Sequence, residues 1–132
     1  MSDPGLALQK ALFDRLTEPG VISCKVFDSV PEKTRLPYVV MDTEISSNAT
    51  PISGKKRENR LFYISVWSDY KGQREVKLIN AEVAAALDRV ALSLPADQGR
   101  VVAVSVLRTE TNREPDGKTF MGSIVVRIIT QH

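Results

Sequence analysis

Leu8, Leu12 and Leu16 recur every fourth residue, and Leu6 and Phe13 widen the stripe. That spacing puts them on one face of a helix, so the pattern predicts an amphipathic helix over residues 4–18. Asp3 is placed to cap it and Pro4 suits its first turn. Glu18-Pro19-Gly20 stops it, because proline cannot continue a helix and glycine tolerates the exit turn. Short β-rich runs follow at 25–28 and 38–43, separated by a polar turn between Pro31 and Pro37. The run RLFYISVWS at 60–68 reads as the strongest strand. A second helix is predicted over 72–92. Its residues Val76, Ile79, Val83, Leu87 and Val90 fall within an arc of about 80°. Strands at 100–111 and 119–130 close the chain around an Asp116-Gly117 turn. The order α-β-β-β-α-β-β predicts an α+β domain spanning residues 1–132, with two helices on one face of a mainly antiparallel sheet.

Residues 44–59 break the pattern. The segment is rich in Ser, Asn, Pro and Gly and reads as a long flexible loop or the mobile tip of a hairpin. It carries the basic run Lys55, Lys56, Arg57 and Arg60, with Glu58 as the one acid among them. A solvated loop accounts for such a run. So does an arm that meets an acidic surface or a phosphate backbone.

Several strands are apolar on both faces. Phe62, Ile64 and Val66 oppose Leu61, Tyr63 and Trp67; Val102, Val104 and Val106 oppose Val101, Ala103 and Leu107; Phe120, Ile124, Val126 and Ile128 oppose Met121, Val125 and Ile129. Two helices cover one face, so the other needs the sheet to close on itself or a second chain to shield it. The second helix bears a weaker stripe, Leu78, Ala81, Ala85 and Leu92, opposite its main one. Small residues of good helix propensity explain the stripe, and so does a second packing partner.

Composition narrows the chemistry. A net charge of +2 is too small for wholesale nucleic-acid or membrane binding. With one cysteine, Cys24, and one histidine, His132, neither an intrachain disulfide nor a Cys/His zinc centre is expected. Nucleophile-elbow, phosphate-loop and dinucleotide motifs are missing, and Cys24 has no interior histidine to activate it, so an enzyme is not expected. Glu110, Glu114 and Asp116 surround a turn full of Arg and Lys, which reads as a solvated hairpin tip rather than a catalytic dyad. The start MSDPGLALQK has no signal-peptide pattern, which leads us to expect a soluble protein made in a reducing cytoplasm.

Three runs, KVFDSVPEKTRLPYVVMDT, ISVWSDYKGQREVKLINAEVAAAL and REPDGKTFMGSIVVRIIT, together with the opening DPGLALQKALFDRL, resemble the tail-completion proteins of long-tailed phages and gene transfer agents. These are tail terminators, or tail-to-head joining proteins. The resemblance implies a structural protein, made in the bacterial cytoplasm and then carried in the tail. It would cap the tail tube as a hexameric ring, stop further polymerisation and join the head-completion (stopper or connector) protein, with DNA later passing through the ring. It implies no catalytic residue, cofactor, metal or membrane contact. On this reading Lys55, Lys56, Arg57 and Arg60 are expected to touch a partner or line the lumen. Leu78, Ala81, Ala85, Leu61, Tyr63 and Trp67 are expected between subunits. The alternatives are another ring-forming virion component, such as a tail tube protein, and a small nucleic-acid-binding α+β module.

Overall fold

The computed structural model describes residues 4–52, 54 and 56–131. Its elements are α1 (Gly5–Leu16), β1 (Lys25–Phe27), β2 (Tyr38–Asn48), β3 (Arg57–Ser68), α2 (Arg74–Leu87), β4 (Arg100–Arg113) and β5 (Phe120–Gln131), with one short 3-10 turn at Ala96–Gln98. The strands form one sheet in the order β1-β2-β3-β5-β4. Every pairing is antiparallel except β1 with β2. The expected fold class and element order are therefore those observed. Asp3, expected to cap α1, lies outside the described residues. Within the described residues the first helical turn closes on the Pro4 carbonyl, which accepts from the Leu8 N–H at 2.8 Å.

The core is one apolar layer between the helices and the sheet. Leu8, Leu12 and Leu16 of α1 and Val76, Ile79, Val83 and Leu87 of α2 are fully buried. They pack on Phe62, Ile64 and Val66 of β3 and on Phe120, Ile124, Val126 and Ile128 of β5. Each fully buried Leu or Ile adds about 1.5–3 kcal/mol relative to an exposed one. The helices are also joined by a polar contact. Arg15 Nε donates to the Ala86 carbonyl at 3.0 Å. That carbonyl lies in the last turn of α2, where no residue of α2 itself is basic. Arg15 therefore supplies from α1 the positive charge that a helix C-terminus favours.

Three expectations need correction. First, α2 ends at Leu87, not near residue 92. Past it the chain turns to serve the edge of β4: the Arg89 N–H donates to the Val104 carbonyl at 3.1 Å, and the Asp88 carboxylate accepts the Val106 N–H at 3.0 Å. Val90 and Leu92 still pack against the core, but from a loop. Second, the loop expected at 44–59 is mostly strand. Residues 44–48 and 57–59 pair in register, leaving 49–56 as the hairpin end. Polar side chains are tolerated there because the stem is solvated on its faces, and Asn48 and Thr50 hold the turn through side-chain hydrogen bonds. Third, β4 does not alternate as its valines suggest. Bulges skip Val102 and Leu107, so Val101, Val104 and Val106 pair opposite Thr130, Ile128 and Val126 on the helix side.

The bulges also decide the far face. Leu61, Tyr63 and Trp67 of β3 and Met121, Val125 and Ile129 of β5 share it, as expected. On β4 the same face carries Ser105, Arg108, Glu110 and Asn112. Apolar character on both sides is thus carried by β3, β5 and the first half of β2, where Val39 and Met41 face the helices and Tyr38 and Val40 the bare side.

Candidate assembly surfaces

The helix-free face is built in rows fixed by strand register. Tyr38, Trp67 and Met121 form one row, and Ile45, Leu61 and Arg127 another. Between them runs a row that is polar apart from Val40, made of Ser65, Ser123 and Glu110. Ser65 Oγ donates to the carboxylate of Asp42, the residue at the β2 bulge. Leu61, Tyr63 and Trp67 are half-buried by their neighbours on the face. The face is therefore neither uniformly greasy nor uniformly polar: aromatic and aliphatic groups sit in a polar frame, a composition found at protein–protein interfaces.

The second stripe of α2 points to solvent. Leu78 is 54% exposed, and Ala81 and Ala85 are exposed beside it. The structure thus places the two expected subunit patches on opposite sides of the domain, one on the bare sheet face and one on the outer helix surface.

The basic run divides. Lys55 lies outside the described residues, and Lys56 is exposed near the hairpin end. Arg57 is half-buried and donates Nε to Gln131 Oε1 at 2.7 Å, which ties the hairpin base to the last strand. Arg60 was expected to reach a partner but is 3% exposed. It pairs with Glu44 and, at 3.3 Å, with Glu58. Strand alternation is the reason: Arg60 shares the helix side of β3 with Phe62 and Ile64, so its guanidinium braces the hairpin stem.

The two sheet edges differ. On β4, Val104 O, Val106 N and Glu110 O are taken by Arg89, Asp88 and Asn80, which blunts that edge against a foreign strand. On the other side the three-residue β1 pairs only residues 38–40 of β2, so among the described residues the β2 edge from Met41 to Asn48 has no neighbouring strand. Near it, Leu6, 81% exposed, and Phe13 line an open groove of about 400 Å³ together with Asp28. Sequence reasoning missed the sealed edge, the open edge and this groove. A glycine inside a strand, Gly122, and an asparagine beside the buried face of a helix, Asn80, were the available signals.

Reactive chemistry is thin. Burial pushes the Cys24 thiol up to about 11, with the nearby Glu82 and Glu75 carboxylates adding to the effect, so it stays protonated. Among the described residues no group of three His, Cys, Asp or Glu could hold a metal ion, and no helix is long and apolar enough to cross a membrane. The surfaces described are suited to docking.

The model of the family described as "Tail completion protein gp17" matches residues 10–131. The chain belongs to the tail completion protein gp17 family. This is a family of structural tail proteins of virions, so the tail-completion chain is a structural tail component. It is also similar to a chain in the solved structure "Virion of native gene transfer agent (GTA) particle", at 24% identity over 95% of each chain with a TM-score of 0.81. That likeness shows that the two share a fold. No curated protein matches the tail-completion chain.

Proposed function

We propose that this protein closes the end of a phage-like tail tube as a ring of six copies, halts addition of tube subunits and presents a new surface to the head-completion protein. The family match over residues 10–131 carries the reading. Two structural features support it. The apolar patches, Leu61, Tyr63 and Trp67 on the sheet and Leu78, Ala81 and Ala85 on α2, lie on opposite sides of one domain. The sheet edges are unlike, one sealed and one open. A molecule with different surfaces on its two sides favours head-to-tail contacts, which close into a ring at the right rotation. Six weak contacts to a six-fold tube then act together through effective concentration.

On this reading the basic residues Lys55 and Lys56 of the hairpin end, with Arg57 at its base, are the ones that meet a partner or line the DNA path. The test is electron microscopy and native mass measurement of the purified protein, with and without tails that lack it. Rings of six times the 14.6 kDa chain mass, on tube ends of uniform length, are expected. Long tubes built from the protein alone would mark it as a tube subunit, and a protein that never attaches to tails would end the proposal.

A further inference from the structure

The hairpin end and the groove beside α1 have complementary chemistry. Residues 49–57 carry Lys55, Lys56 and Arg57 and no acid. Arg57 pairs with Gln131, the last described residue of β5, so the hairpin end projects past the sheet. Its turn is held by the Gly54 N–H, which donates to the Pro51 carbonyl at 3.4 Å, and by the Arg57 N–H, which donates to Thr50 Oγ1 at 3.1 Å. Ile52 stands in that turn, fully exposed. Of the other exposed large apolar side chains among the described residues, Leu6 lines the groove itself, and Ile45, Leu78 and Leu107 lie within strands or α2. Tyr70 stands between Asp69 and Lys71, where the charges cancel. Ile52 is thus the one among them presented at a projecting, purely basic turn.

The groove of about 400 Å³ is lined by Leu6, Gln9, Lys10, Phe13 and Asp28. Through Gln9 and Asp28 it adjoins Met41, Asp42 and Glu44 at the open edge of β2. Lys10 is already paired with Asp14 at 2.7 Å, and Glu44 with Arg60. Asp28 accepts from Gln9 at 2.7 Å and Asp42 from Ser65, but neither carboxylate has a cation beside it among the described residues.

We propose that the hairpin end of one copy seats in this groove on the next copy, with Ile52 against Leu6 and Phe13 and Lys56 against Asp28 and Asp42. The inference rests on the head-to-tail ring proposed above and names the partner of its basic hairpin. An apolar groove edged by uncompensated carboxylates fits a segment with an apolar tip and cations behind it. The arm cannot fill the groove of its own copy, because from Met41 β2 runs seven residues away to Asn48, about 23 Å. A nucleic acid is a poor occupant, since Asp28 and Asp42 repel phosphate. Arm and groove are different surfaces, so each copy offers one and accepts one, as a head-to-tail ring requires. A turn already held by hydrogen bonds also loses less entropy on docking than a free loop would.

The experiment oxidises full-length Leu6→Cys/Ile52→Cys mildly, with and without tails that lack the protein, beside each single variant. Both positions are exposed, so the fold should tolerate them, and Cys24 is common to all three proteins. A reducible ladder of covalent multimers up to six copies is expected in the double variant, with nothing beyond a dimer in the single ones. A disulfide forms only where two Cα atoms come within about 7 Å, so the ladder reports this contact. In a second comparison Lys56→Asp should weaken ring formation about fivefold or more, and Asp28→Lys added to it should restore most of the loss. Rings on tails without the ladder overturn the inference and leave the ring standing, as does a charge reversal that leaves ring formation unchanged. A tail protein linked to the Leu6→Cys variant also overturns it, by putting a different chain in the groove. The ladder in protein that never attaches to tails overturns the tail-end function and leaves the contact between copies standing. Protein that neither links nor attaches overturns both.

Discussion

Asn80 of α2 occupies the space that a side chain at position 122 of β5 would fill. A Cβ built on Gly122 falls on the Asn80 carboxamide, 2.7 Å from its Cγ and Nδ2. From there Nδ2 donates to the Glu110 carbonyl at 3.0 Å and reaches Thr111 Oγ1 at 3.3 Å. One helix side chain thereby crosses the sheet layer over a glycine and ties α2 to the edge strand. Gly122→Ala should lower unfolding free energy by about 1–3 kcal/mol, the cost of overpacking a filled site. Asn80→Ala should cost about 1–3 kcal/mol through the lost hydrogen bonds. The double variant should be less destabilised than the two effects added, because removing the carboxamide makes room for the new methyl. Urea denaturation of the four proteins checks this, and additive losses would contradict the shared site.

Arg60 should behave as a structural group rather than a contact residue. Its side chain is 4% exposed between Glu44 and Glu58. Arg60→Ala strips a nearly buried cation from two carboxylates and should cost about 3 kcal/mol. Hydrogen exchange should quicken in the stem strands at 44–48 and 57–61. Lys56→Ala, at an exposed position, should change stability by less than about 0.5 kcal/mol.

The sealed edge of β4 predicts a link between one carboxylate and solubility. Asp88→Ala leaves the Val106 N–H without its acceptor, and the loss should be about 1 kcal/mol. The freed edge should also raise concentration-dependent association, read by light scattering. Association equal to that of the wild type would show that Arg89 and Asn80 suffice to close the edge.

The closing turn carries a pH dependence. Backbone hydrogen bonds from Thr119 and Lys118, both at 2.8 Å, and the Thr119 hydroxyl hold the Asp116 carboxyl below its ordinary value of 3.8. A carboxyl depressed in the folded state binds fewer protons there than in the unfolded chain. Its contribution is therefore present above the unfolded value and is lost as pH falls through the folded one. The stability gap between wild type and Asp116→Asn should narrow as pH drops below 3.8, followed by denaturant titration from pH 6 downward. A gap that stays constant with pH would remove the charge from the account.

Two helices, five strands, their order and the helix-side core of β3 and β5 were all legible in the chain. Each rests on local periodicity: leucines every four residues in α1, apolar alternation in RLFYISVWS, and proline or glycine at the breaks. The family resemblance was legible for the same reason, being carried by short runs in order. The hairpin stem was not, because Ser46, Ser47 and Asn48 have no strand preference of their own and become strand by pairing with β3.

What the sequence by itself determined, then, is where the apolar faces lie and which helices and strands they build, because period and propensity are properties of neighbouring residues. What only the tertiary structure decided is which side of the sheet each polar residue meets. Two bulges in β4 put Arg108 on the bare face and Val106 in the core, and strand alternation turned Arg60 inward beside Glu44. Bulges, edge closure and charge pairing depend on residues far apart in the chain. Their energies exist only once the strands are side by side.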